Sequence, residues 1–329
     1  MTSPIHKCDS HLYTIHDLTS WTPPKAQHIV WDGVLDVGHR LEIFGDEGSW
    51  KSNLATHLAY SIARGSKWLG FKTSPANVLT VQGEMGLISV RNRNVKYCAG
   101  SETIYLQKNT PNSPSADDLD RAASRAADYS YPPNVITEVV EFLHLDEQSG
   151  INSIRRQLDI VISESPALPL VLILDPLYKM FARDLTVPYD FKRFAENIDI
   201  MLHDYNCTDK NGILRQLAIV IIHHTRKGKV DEDGVRIKQG TDESFGARML
   251  GWWSDTVMQT TLDDKDKTKT TVDIEFTKSP RDAEGLVPEL IKVRWDRSTL
   301  HPRIMLRQLP HYPEDEIELR GSDLIEKLE

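Results

Sequence analysis

The feature that most constrains this chain is a glycine-containing loop with the sequence Gly45-Asp46-Glu47-Gly48-Ser49-Trp50-Lys51-Ser52. The pattern G-x-x-x-x-G-K-[ST] is typical of a phosphate-binding loop, and this loop departs from it where Trp50 replaces the second glycine. Small residues let backbone N–H groups approach a polyphosphate closely, and the N-terminus of a following helix adds its positive dipole end. The segment from Gly45 to Asn53 is therefore predicted to bind a nucleotide.

The residues on both sides of the loop supply the strand and the helix that such a site requires. Residues 40–44 indicate a short buried strand, and residues 53–63 repeat apolar side chains at helical spacing. In this context we expect the Lys51 ammonium to reach the terminal phosphates and the Ser52 hydroxyl to coordinate Mg²⁺. The predicted cofactors are ATP and Mg²⁺.

The composition limits the classes of protein to which the chain can belong. Its 329 residues allow one large α/β domain with appendages or two small domains, and its mean hydropathy of −0.40 is ordinary for a globular protein. The longest apolar runs, Leu168–Leu174 and Leu217–Ile222, are too short to cross a bilayer. The net charge of −9 disfavours coating of nucleic acid by overall electrostatics. Any DNA contact is therefore expected from local loops, and no membrane partner is expected.

The N-terminus and the cysteines favour a cytoplasmic protein. Residues 1–6 lack the apolar core of a signal peptide. The three cysteines, Cys8, Cys98 and Cys207, have no metal-ligand spacing and cannot all pair with one another. Free thiols are the expected state.

Apolar strands that alternate with helices predict an α/β fold with a mostly parallel sheet covered by helices on both faces. The predicted parallel strands are residues 40–44, 77–82, 170–174 and 218–222, with helices near 87–98, 151–163 and 189–204 between them. Three closely spaced strands, Thr256–Leu262, Thr271–Phe276 and Leu290–Trp295, predict an antiparallel C-terminal extension.

The same pattern divides the chain into three parts. Residues 1–39 are a turn-rich lead-in that we expect to pack on the core. Residues 40–310 form the predicted ATPase domain, with an insertion near residues 108–148 because residues 108–133 are rich in Asn, Pro, Ser, Asp and Ala. Residues 311–329 are a C-terminal tail. No internal repeat is present.

Two carboxylates are expected beside the phosphate loop. Asp175 ends a run of five apolar residues, which places it at the carboxyl edge of the sheet, where it would hold the hydration shell of Mg²⁺. Glu84 follows another strand at Gly83, so it would reach the same edge and could orient a water against the γ-phosphate. The alternatives are a turn cap before Pro176 for Asp175 and a helix N-terminal acid for Glu84.

Five segments, in this order, resemble the RecA-like ATPases of the plasmid RepA replicative-helicase group. They are LEIFGDEGSWKSNLA, VLTVQGEMG, LVLILDPL, AIVIIHHTRKG and FTKSPRDAEG. The resemblance covers roughly residues 28–300 and implies a RecA-like P-loop NTPase fold. It also implies a ring, usually of six subunits, with ATP sites between neighbours.

The resemblance assigns roles to three further residues. His224, the second histidine of the pair with His223, would sense the γ-phosphate. Lys278 and Arg281 stand where ring helicases of this kind carry residues that complete a neighbour's site, and surface charge is the alternative for Arg281. A metal site at the histidine pair lacks other ligands at suitable spacing.

By resemblance, the loop after His224 faces a central channel and contacts single-stranded DNA. Its basic residues are Arg226, Lys227, Lys229, Arg236 and Lys238. Acidic residues nearly balance them and stacking aromatic residues are missing, so a solvated loop without DNA contact is the alternative.

Tryptophans stand at three positions where the family carries smaller residues, namely Trp50, Trp252 and Trp253. The Trp50 indole could pack beside the nucleotide or against an adjoining subunit. Trp252 and Trp253 could belong to the core or to an interface.

The sequence thus predicts an ATP-hydrolysing ring ATPase that acts on DNA, with helicase-type motor activity for a plasmid, phage or other mobile element. The alternative is an ATP-dependent assembly or regulatory module without translocation, which the acidic charge balance favours. A small-molecule kinase on the same scaffold lacks an evident lid for the phosphate acceptor.

Overall fold

The computed structural model describes residues 14–20, 27–109, 134–185, 187–207, 214–224, 247–280, 283 and 285–310. The helices are α1 (Ile15–Ser20), α2 (Lys51–Arg64), α3 (Leu87–Asn109), α4 (Gln148–Glu164), α5 (Pro188–Asn206) and α6 (Ala247–Trp253), with a short 3₁₀ helix at Leu177–Met180. The strands are β1 (His28–Val30), β2 (Leu35–Asp36), β3 (Arg40–Gly45), β4 (Asn77–Gln82), β5 (Val135–Val139), β6 (Leu170–Asp175), β7 (Leu217–His224), β8 (Thr256–Leu262), β9 (Thr271–Lys278), β10 (Leu290–Trp295) and β11 (Pro302–Gln308).

A nine-stranded sheet dominates the described part of the chain. Its order is β11-β10-β9-β8-β3-β7-β6-β4-β5, parallel from β8 to β5 and antiparallel from β8 to β11. The predicted mostly parallel sheet with an antiparallel extension is therefore confirmed. Strand β11 and the small β1–β2 hairpin were not predicted, since β1 and β2 are too short to show a period.

The strand side chains alternate between two core clusters, which accounts for helices on both faces. In β6, Val171 and Ile173 pack on the α2 side, whereas the leucines between and beside them pack against α4 and α5. Every residue of β6 is buried. Such near-continuous apolar strands are typical of a parallel sheet that is covered twice.

The lead-in and the predicted insertion both contribute to this structure. Residues Ile29, Val30, Val34 and Leu35 are fully buried in the same cluster as β3. Residues 135–139, inside the predicted insertion, form β5, which pairs with β4 at the edge of the sheet. None of the described helices combines the length and the hydropathy needed to cross a membrane.

A cluster of rings joins α2, α3 and the β10–β11 connection. Tyr97 stacks on His301 at 4.1 Å between ring centroids and on Tyr60 at 4.8 Å. Burial lowers the pKa of neighbouring His57 to about 3, so this imidazole is neutral at pH 7. Helix α3, which extends beyond the predicted Cys98 to Asn109, is thereby tied to the antiparallel extension.

Gly100 tests this packing because α3 approaches the β10–β11 connection most closely there. A Cβ atom at Gly100 would lie 2.4 Å from the Thr299 carbonyl oxygen and 2.6 Å from its Cβ. Glycine to alanine inside a helix normally stabilises by about 1 kcal/mol. We expect Gly100→Ala to lower the free energy of unfolding instead, by about 1–3 kcal/mol, in urea denaturation. Exposed Asn92→Ala on the same helix is the control, and stabilisation by Gly100→Ala would contradict the packing.

Candidate functional site

Four neighbouring strands end at the same edge of the sheet, and the predicted site residues lie at these ends. In the strand register, Gly45 of β3 stands opposite His224 of β7 and Thr260 of β8. On the other side, Gln82 of β4 stands opposite Asp175 of β6. Carboxyl ends of parallel strands form the usual ligand crevice of open α/β sheets.

The phosphate loop needs a glycine at position 45 because β8 lies so close. A Cβ atom at Gly45 would lie 2.2 Å from both the carbonyl and the hydroxyl oxygen of Thr260. The Ser49 hydroxyl, 2.8 Å from the Thr260 hydroxyl, fixes the loop to this strand. Gly48 has a φ of 79° and faces open space, which suits a loop that cradles a ligand.

The Lys51 ammonium is folded back into the loop. Its Nζ donates to the carbonyl oxygens of Gly45 at 2.8 Å and Asp46 at 2.5 Å. Burial lowers its pKa to about 8, against the attraction of Asp175, Glu84 and Glu47, which raises it. A buried cation held by carbonyl dipoles can exchange these partners for phosphate oxygens.

A hydroxyl and a carboxylate form a pair suited to a divalent cation. The Ser52 hydroxyl donates to Asp175 Oδ1 at 3.1 Å, and Gln82 Nε2 donates to Asp175 Oδ2 at 3.0 Å. Burial raises the pKa of Asp175, whereas Arg93, the two hydrogen bonds and Lys51 lower it. No group of three or more His, Cys, Asp or Glu side chains suits a metal within the described ranges. The pair therefore fits Mg²⁺ that takes its remaining ligands from phosphate and water.

Glu84 and His224 meet on the far side of this pair. His224 Nε2 lies 3.6 Å from Glu84 Oε2, and the Tyr178 ring contacts the imidazole edge-on at 5.4 Å between centroids. Burial and the nearby Lys51 lower the pKa of His224, so the imidazole is neutral at pH 7. A neutral imidazole beside a partly exposed carboxylate can pass a hydrogen bond to it without neutralising its charge.

Sequence reasoning missed two residues that organise this edge. Gln82 Oε1 accepts the backbone N–H of Glu84 at 3.2 Å, so Gln82 joins Asp175 to the Glu84 turn. Arg93 of α3 is attracted by both Asp175 and Glu84 and lines the same cavity. The spacing of Ser89 and Arg93, four residues apart on the helix that follows Glu84, is the signal that could have found it.

These residues surround a cavity of about 520 Å³ at the carboxyl edge of the sheet. Its lining comes from the phosphate loop, the start of α2, the Glu84 turn, α3, Asp175 and His224. Ligand sites for small molecules and cofactors commonly enclose ~300–1,000 Å³, so the cavity has the size of a nucleotide site.

Trp50 occupies the glycine position of the motif in a left-handed backbone conformation, with φ 65° and ψ 14°. This conformation costs a residue with a side chain about 1–2 kcal/mol. The indole stacks on Trp295 at 5.1 Å and 8°, and its N–H donates to the Lys269 carbonyl oxygen at 2.9 Å. A stacked pair and a hydrogen bond contribute about 1 kcal/mol each, which offsets the strain.

The remaining predicted residues lie apart from the cavity or outside the described chain. Lys278 Nζ donates to the carbonyl oxygens of Gly251 and Trp252 at 3.1 and 3.0 Å, at the end of α6, so within the chain it caps a helix. The predicted trans residue Arg281 and the predicted DNA contacts Arg226, Lys227, Lys229, Arg236 and Lys238 lie outside the described residues. Their roles stay predictions.

The two adjacent tryptophans have different surroundings. Trp253 N–H donates to Asp199, and its ring packs against Phe191 and Phe194, so it belongs to the core beside α5. Trp252 is 75% exposed. The structure thus separates two residues that the sequence left together.

Comparison with known proteins places this geometry in a family. Residues 10–230 match the AAA domain family AAA_25, which is more than half of the chain. The chain belongs to this AAA domain family. No protein with a curated description matches its sequence.

Solved structures share the fold of this AAA domain. One of them, an isolated ATPase domain, aligns with a TM-score of 0.53 at 13% identity, over 80% of this chain and 84% of that one. A DnaB-like replicative helicase, solved with a view to its interactions with primase, aligns with a TM-score of 0.54 at 13% identity. It covers 80% of this chain, which spans 58% of the helicase chain. The predicted RecA-like helicase-type P-loop fold is confirmed.

The pKa of Lys51 predicts how phosphate binding depends on pH. Bound phosphate favours the charged ammonium, so affinity for inorganic tripolyphosphate with Mg²⁺ should be constant below pH 8. Above pH 8 it should fall by up to about ten-fold per pH unit, as the free AAA domain loses the Lys51 proton. Isothermal titration calorimetry between pH 6.5 and 9.5 measures this.

Lys51→Arg is the matched variant for this prediction. Its guanidinium stays charged throughout this range, so its binding, although weaker, should lose the decline above pH 8. An equal decline in both proteins would contradict the assignment to Lys51.

Proposed function

We propose that this protein hydrolyses ATP and uses the cycle to act on DNA as a ring-shaped, helicase-type motor. The observation that carries the proposal is the convergence of Lys51, Ser52, Asp175, Glu84 and His224 on one cavity at the carboxyl edge of the sheet. Membership of an AAA domain family and the fold shared with helicase ATPase domains support it.

Each side chain has a chemical role that follows from its position. Lys51 moves from the loop carbonyls to the β- and γ-phosphates, and the loop N–H groups and the α2 dipole hold the remaining charge. Ser52 and Asp175 hold Mg²⁺, which neutralises charge on the phosphates. Arg93 lies within the influence of both acids and adds positive charge from α3.

The partly exposed Glu84 serves as the base that orients the attacking water. His224 contacts Glu84 on one side, and strand β7 joins it to the loop that begins at residue 225. This position suits a residue that senses the γ-phosphate and transmits its loss to a DNA-facing segment.

Assembly into a ring, with six subunits the expected number, would complete the site. Leu87 and Ile88 are 71% and 76% exposed directly after Gly86, which lines the cavity. Exposed apolar residues beside a site favour coverage by another subunit. In this arrangement Arg281 acts in trans, and Lys278 does so only by leaving the end of α6. A replicative role in a plasmid, phage or other mobile element follows from the resemblance.

Substitutions at the site separate binding from hydrolysis. We expect Lys51→Ala to weaken Mg–ATP binding by about 10–100-fold, because charged hydrogen bonds to phosphate are lost. Glu84→Gln should bind Mg–ATP normally and lose about 100-fold or more in kcat. Calorimetry and phosphate release measure these effects. Glu141→Gln, an exposed acid away from the cavity, is the control, and full turnover by Glu84→Gln would refute the base assignment.

Dependence on DNA distinguishes the motor from the assembly module. Single-stranded DNA should stimulate ATP turnover, and a Lys227→Ala and Lys229→Ala double variant should need more DNA for the same stimulation. Its binding should also depend less steeply on salt, by about two units of the logarithmic slope. A rate indifferent to single-stranded DNA, together with an ATP-dependent change in mass, would favour the assembly module.

A further inference from the structure

One face of the Trp50 indole is already occupied. Trp295, which is 2% exposed, stacks on it with planes 8° apart, and the hydrogen bond to the Lys269 carbonyl fixes the rotation of the ring. Trp50 itself remains partly exposed and lines the cavity. Since an indole has two faces and the buried Trp295 covers one, the other is the face that can meet a ligand.

The strand order indicates which part of a nucleotide reaches this face. Asp175 and Glu84 follow β6 and β4, on one side of the phosphate loop that ends β3. Trp50 contacts β10 and the β8–β9 connection, on the opposite side of β3. A polyphosphate between Lys51, Ser52 and Asp175 therefore directs its terminal phosphate towards Glu84 and the rest of the nucleotide towards Trp50.

Trp50 is also the suitable stacking surface at this end of the cavity. The aromatic rings that line the cavity within the described chain are those of Trp50 and His224, and His224 contacts Glu84 at the terminal-phosphate end. A planar base gains most from a planar, apolar surface whose orientation is fixed beforehand.

We propose that the nucleobase stacks on the free face of Trp50, so that Trp295, Trp50 and the base form a continuous stack. This rests on the proposed function and names what the site recognises beyond the polyphosphate. Every base has a π-face, so stacking selects for the presence of a base and favours the larger purines over pyrimidines. Contacts to a face do not read the base edge, so ATP and GTP bind within a few-fold of each other.

The test compares ATP with ribose 5′-triphosphate, which carries the same phosphates without a base. Isothermal titration calorimetry on the full chain with Mg²⁺ should show that wild type binds ATP about ten-fold more tightly, or better. In Trp50→Gly this advantage should shrink to about two-fold. Binding of ribose 5′-triphosphate should be retained, because glycine adopts the left-handed conformation freely.

Three further variants keep the result interpretable. Trp50→Phe retains an aromatic face and should keep most of the advantage, whereas Trp50→Asn tolerates the left-handed backbone without a ring and should lose it as Trp50→Gly does. Trp252→Ala removes an exposed tryptophan from outside the cavity lining and should bind as wild type does.

The outcomes separate this inference from the proposed function. An equal ATP advantage in wild type, Trp50→Gly and Trp50→Asn would overturn the stacking, as would equal binding of the two ligands by wild type. In either case, loss of ribose 5′-triphosphate binding in Lys51→Ala would leave the ATPase proposal standing. Failure of wild type to bind either ligand would overturn both.

Discussion

The parallel pairing of β3 with β7 and β8 is the interaction on which the site depends. It sets Gly45 beside His224 on one side and Thr260 on the other, so the loop that follows β3 begins between two fixed strands. The strand interior is almost wholly apolar and buried, which makes a slip in register costly. Because that register is fixed, the phosphate loop, the carboxylates and the sensing histidine meet without any residue from a distant domain.

The electrostatics of the edge follow from this arrangement. Two acids, Asp175 and Glu84, and two bases, Lys51 and Arg93, lie within each other's influence in a partly buried cavity. Burial alone would discharge Lys51 and Asp175, and their mutual attraction opposes this. Phosphate and Mg²⁺ carry opposite charges that can replace each partner, so the site is balanced both before and after a ligand binds.

Local pattern carries the residues that could be predicted. Lys51, Ser52 and Asp175 stand at motif positions or at the end of an apolar run, and the structure brings them together. Gln82, Arg93 and the Trp295 contact of Trp50 depend on register and on packing between distant segments, which a single sequence does not display. Strand β11 was missed because its side chains are mostly exposed and show no apolar alternation. The capping of α6 by Lys278 likewise needed the helix to be placed first.

A crystal structure of the Glu84→Gln protein with Mg–ATP tests the central claim most directly, namely that these side chains form one nucleotide site. The account predicts that Lys51 Nζ leaves the carbonyls of Gly45 and Asp46 for phosphate oxygens. It also predicts that Mg²⁺ lies between the Ser52 hydroxyl and the Asp175 carboxylate. A nucleotide bound elsewhere, or an unchanged Lys51 with an intact Ser52–Asp175 hydrogen bond, would contradict it.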